Sequence, residues 1–171
     1  MSTVLTGPFL AAAGLLCVSG VAKLRAPQPA STALRTLGLR AGASGVRAAA
    51  GAEVVLGGLS LAIGGRVAAL VLALAYAGFA GLTVRLAEER AACGCFGSAD
   101  APSGRAQLAL SLGLMALAAA AAVWPAGGIG WVLGHSAGYA STLLVGVGGC
   151  IYALAIAYTQ LPAALAAWSG R

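Results

Sequence analysis

Long apolar runs and short polar interruptions alternate along the whole chain. The apolar runs cover residues 4–24, 43–63, 67–86, 106–124 and 137–161. Each is close to the ~20 residues an α-helix needs to cross ~30 Å of hydrocarbon. The second and third runs are separated only by "GGR", which predicts a tight helical hairpin. Pro125 follows the fourth run and Pro162 the fifth, and each is expected to end its helix. In the first connection, "KLRAPQPASTALRTLGLR", Pro27 and Pro29 stop the helix and a short amphipathic interfacial turn is expected to follow. The pattern predicts an all-α polytopic membrane protein: a four-helix transmembrane bundle plus a fifth transmembrane helix, as one domain over residues 1–171.

Composition strengthens that picture. With 60% hydrophobic residues, 8% charged residues and a mean hydropathy of +0.94, the chain cannot cover a water-facing surface with polar groups. The lipid bilayer is the expected partner. A net charge of +6 raises nucleic acid as a ligand, but the basic residues are not interleaved with stacking aromatics, and nucleic acid is excluded on that ground. They lie between the apolar runs, where they set orientation. Lys23, Arg25, Arg35, Arg40, Arg47, Arg85, Arg90, Arg105 and Arg171 fall on one side of a five-span topology and Arg66 alone on the other. That asymmetry predicts an outside amino terminus, with the first and third connections in the cytoplasm. No Lys or Arg precedes the first apolar run, so that run reads as a transmembrane helix rather than a cleaved signal.

Candidate chemistry is concentrated in few residues. The third connection (redox loop, 87–105) carries "ACGCFGS", which sets Cys93 and Cys95 either side of a glycine. Two thiols so placed can cycle between dithiol and small-ring disulfide, with Gly94 supplying backbone freedom. They can also ligate a soft metal ion (Cu, Hg or Zn). Arg90 and Arg105 nearby favour the thiolate that either chemistry needs. Cys17 lies seven residues before the end of the first run, ~10 Å below the same face, and is a candidate resolving thiol or third ligand. Cys150 reads as an apolar filler. His135, the one histidine, falls in the Gly-rich fourth connection on the opposite side, which argues against a four-ligand zinc site. Glu53 stands about ten residues into the second run, at a depth of ~15 Å. A carboxylate there must be paired, protonated or functional. Lys23 and Arg47 are the cations placed to reach it, either as an interhelical clamp or in support of a proton acceptor for thiol chemistry.

"GVAKLRAP" at the end of the first run, "GAEVVLGGLSL" in the second and "CGCFG" after the third, in that order, resemble the MauE-like (methylamine-utilisation) family within the DoxX-like redox-associated membrane proteins. The resemblance covers about residues 10–125. It implies a four-helix bundle in the bacterial cytoplasmic membrane that assists disulfide formation or redox maturation of a client, beside a thioredoxin-like partner. A membrane quinone is the candidate electron acceptor. Carried onto this sequence, it implies Cys93 and Cys95 as the redox pair, with Lys23 and Glu53 as the polar residues of the first two helices. Two features depart from the family: the fifth run extends beyond the four-helix pattern, and the charge count sets the thiols inward where the implied task points outward.

Overall fold

A computed structural model describes residues 2–39, 42–89 and 105–169. The helices are α1 (Thr3–Arg25), α2 (Pro27–Thr36), α3 (Ala43–Ile63), α4 (Gly65–Glu88), α5 (Arg105–Val123), α6 (Ile129–Leu133) and α7 (Ala137–Ser169). No strand occurs among the described residues. Five helices are long and apolar enough to cross a membrane: α1, α3, α4, α5 and residues 137–160 of α7. The chain is a multi-pass membrane protein, and these spans lie within two residues of the predicted runs at each end.

α1 is the central helix. It packs chiefly on α3 and also touches α2, α4, α5 and α7, whereas α4 packs chiefly on α5. Its buried run Phe9–Leu16 is apolar on every side, as expected of a helix enclosed by others. It anchors a core with Leu72, Tyr76, Leu114, Ala118 and Val147. The Tyr76 hydroxyl, buried in that core, donates to the Ala12 carbonyl at 2.7 Å. This satisfies a polar group that bare hydrocarbon would leave unpaired.

At the end opposite Lys23, backbone bonds lock the helix ends together. Gly64 and Gly65 adopt φ values of +65° and +82°, which glycine reaches without strain. They turn α3 into α4 against the 125–128 segment. Gly65 N–H donates to the Ala126 carbonyl at 2.9 Å and Ser2 N–H to the Pro125 carbonyl at 2.8 Å. Gly127 N–H donates to Thr6 Oγ1 at 3.0 Å.

Two sequence expectations are corrected. The first connection is not a short turn but the ten-residue helix α2. Pro27 occupies its first position, where the missing N–H costs nothing and the fixed φ favours a helix. Nor does Pro162 end the last helix, because α7 continues to Ser169. A proline leaves the carbonyl four residues earlier without its helical donor, here that of Tyr158. Gln107 Nε2 of α5 donates to this carbonyl at 3.4 Å. The Tyr158 hydroxyl meets Ser111 Oγ of α5 at 3.0 Å. A neighbouring helix thus supplies the bond that Pro162 removes. At 33 residues, α7 is ~50 Å long and exceeds the hydrocarbon thickness.

Candidate functional site: a buried ion pair between the first two membrane helices

The site arises from close approach of α1 and α3. Ala13, Cys17 and Gly20 recur at four- and three-residue spacing and line one face of α1; Ala50, Glu53, Val54 and Gly57 line the facing stripe of α3. A β-carbon on Gly20 would lie 2.7 Å from the Ala50 carbonyl oxygen, and one on Gly57 would lie 2.8 Å from that of Ala13. Only glycine permits this separation, and small residues of this kind let membrane helices pack backbone to backbone.

One turn beyond Gly20, the close approach holds Lys23 against Glu53. Lys23 Nζ donates to Glu53 Oε1 at 2.6 Å and to Oε2 at 2.8 Å. The side chains are only 8% and 14% exposed, so the charges neutralise each other inside the protein rather than in water. Ser19 Oγ donates to Glu53 Oε2 at 3.4 Å. On its other side Lys23 Nζ stands 4.5 Å from the centroid of the Phe79 ring of α4, within cation–π range. Lys23 therefore turns inward and does not snorkel to the interface. Arg47, the other candidate cation, is exposed. α2, with Pro27, Ala30, Ser31 and Ala33 buried, packs on α1 and α3 just beyond this pair.

Cys17 lies beside the pair without joining it. Its Sγ donates to the Val54 carbonyl at 3.6 Å, and a β-carbon on Gly57 would come within 2.6 Å of that sulfur. Cys17 and Cys150 are free thiols, half-buried and exposed respectively. Cys150 lines an apolar groove of about 650 Å³ between α1, α5 and α7, remote in chemistry from the charged pair. Cys93 and Cys95 lie outside the described residues; they belong to the segment joining α4 to α5. Among the described residues no group of three His, Cys, Asp or Glu gathers to hold a metal.

Sequence reasoning missed Ser19, Phe79 and the Gln107–Ser111–Tyr158 group. Ser19 was within reach, four residues before Lys23 and so on the same helix face. Phe79 carries no local signal, because its role depends on how α4 docks.

What the pair can do follows from its surroundings. A carboxylate accepting three hydrogen bonds, two of them from an ammonium stacked on an aromatic ring, forms with it a neutral unit, held by two helices and touched by a third. It fixes the register of α1 on α3.

Comparison with protein-family models gives a match over residues 1–125 to the family described as methylamine utilisation protein MauE. Comparison with curated proteins and with solved structures gives no match.

Proposed function

The chain belongs to the MauE family, and from that premise we propose that it serves redox maturation of a partner protein by thiol–disulfide exchange at Cys93 and Cys95. The observation that carries this reading is the Cys93–Gly94–Cys95 pair. It falls inside the matched region, in the sequence between α4 and α5. In the oxidising direction a client thiolate attacks the Cys93–Cys95 disulfide, forming a mixed disulfide and releasing one cysteine as thiolate. The client's second thiolate then displaces the other, so the client gains a disulfide and the chain holds a dithiol. Two electrons and two protons have moved to the chain. A thioredoxin-like protein or a membrane quinone removes them and restores the disulfide.

Lys23 and Glu53 act in this scheme as positioning residues. They hold α1 and α3 in one register. The nine-to-one distribution of basic residues supports a cytoplasmic loop in a bacterial cytoplasmic membrane. Replacing Cys93 or Cys95 singly by Ser in the full-length chain should leave one variant that accumulates a mixed disulfide with its client, visible without reductant and lost on adding it. Undiminished exchange in both single variants would refute the assignment.

A further inference from the structure

The last turns of α4 and the end of α2 enclose an open groove of about 710 Å³. Its floor is apolar and includes Leu37 of the α2 terminus and Gly78, Gly81 and Leu82 of α4; its rim carries Arg85, Glu88 and Glu89. We infer that this groove binds a zwitterionic phospholipid with a primary-amine head, of the phosphatidylethanolamine class.

Three observations lead there. First, the layering matches a lipid. Gly78 lies seven residues before Arg85, so the floor runs ~10 Å along α4 below the charged rim. At the end of a membrane span that depth lies in hydrocarbon, which an acyl chain fills and a water-soluble protein cannot enter. A β-carbon added at Gly78 or Gly81 would meet nothing within 4 Å, so both glycines border free space rather than a packed helix.

Second, the rim bears both charges. Arg85 and Glu88 approach only to 3.9 Å, with their side chains 75% and 62% exposed. Such a pair holds little energy of its own and leaves both groups available. Arg85 is suited to a phosphate. Glu88 and Glu89 are suited to a cation that donates hydrogen bonds.

Third, carboxylates are scarce in this chain, which has four acidic residues against ten basic. Glu53 is taken by Lys23, and Asp100 lies outside the described residues. The remaining two stand together at this rim, on the face that otherwise gathers cations. An anionic phosphatidylglycerol head would meet their repulsion. A choline head has no N–H to donate. An ethanolamine head sets its phosphate on Arg85 and its ammonium on the carboxylates.

The test uses the purified full-length chain in detergent with equimolar phosphatidylethanolamine, phosphatidylcholine and phosphatidylglycerol of identical acyl chains, and counts retained lipid by native mass spectrometry. Wild type should retain the ethanolamine lipid roughly five- to tenfold over choline, the worth of about one charge-assisted hydrogen bond at a partly exposed site. Glu88→Gln combined with Glu89→Gln should level the heads while lipid is still retained. Gly81→Leu should fill the groove and lower retention of every head. Its helix content by circular dichroism should be unchanged, because the added side chain meets open space. Equal retention of the three lipids by wild type, preference for the glycerol head, or retention indifferent to both sets of substitutions would overturn the assignment and leave the rim as a surface for a soluble partner.

Discussion

The ion pair between α1 and α3 makes the sharpest energetic prediction. Lys23→Met leaves the Glu53 carboxylate with Ser19 as its donor in a site only 14% exposed. Removing one partner of a buried pair costs about 3–5 kcal/mol in soluble proteins. Hydrogen bonds inside membranes average nearer ~0.6 kcal/mol, because the unfolded chain in lipid also finds partners. A loss of ~2–4 kcal/mol is therefore expected for Lys23→Met, between those limits. Glu53→Gln should cost less, ~1–3 kcal/mol, since the ammonium keeps an amide oxygen and the Phe79 face. Lys23→Met with Glu53→Leu removes both charges and fills the space with hydrocarbon, so it should lie within ~1 kcal/mol of wild type. Unfolding of the three variants in bicelles, followed by far-ultraviolet circular dichroism against rising dodecyl sulfate, supplies the comparison. If the double variant loses the sum of the Lys23→Met loss and that of a Glu53→Leu single variant measured beside it, to within ~0.5 kcal/mol, the two residues are energetically independent and the account of the pair is wrong.

Three further outcomes follow from the packing. Gly57→Ala should destabilise the bundle by ~1–3 kcal/mol, because its β-carbon would fall 2.6 Å from Cys17 Sγ and 2.8 Å from the Ala13 carbonyl oxygen. Gly51→Ala, whose β-carbon meets nothing within 4 Å, should be neutral or stabilising by up to ~1 kcal/mol on helix propensity; the same unfolding assay separates them. Gln107→Leu should cost ~1 kcal/mol in wild type but much less in a Pro162→Ala background, where a restored helical N–H serves the Tyr158 carbonyl; equal costs in both would deny that Gln107 compensates the proline. With Cys93 and Cys95 replaced by Ser, a lipid-soluble maleimide should modify exposed Cys150 well before half-buried Cys17, and mass spectrometry of the two peptides reads the order.

The five spans were legible in the sequence because hydropathy and length alone fix them in a bilayer. Lys23 and Glu53 were legible for the converse reason: a charge at membrane depth is too costly to be incidental, so its presence already asks for a partner. Which cation answers was not legible, because the choice between Lys23 and Arg47 depends on α1 and α3 meeting through Gly20 and Gly57. The extension of α7 through Pro162 was hidden for a similar reason. A proline is read locally as a stop, whereas the donor that lets the helix continue comes from Gln107, 51 positions before the Tyr158 carbonyl it serves. Phe79 is the extreme case, since nothing in its own segment marks it as the ring beneath a lysine.

The most direct test of the central claim follows the client. In cells expressing the chain at native level, the fraction of the disulfide-bearing client that reaches its fully bonded form can be measured by alkylation and intact-mass analysis. A chain with Cys93 and Cys95 both replaced by Ser should lower that fraction to the level of cells without the chain, while replacement of Cys17 and Cys150 leaves it at wild type. Full client bonding with the Cys93/Cys95 double variant would contradict the account, whatever the stability of the bundle around it.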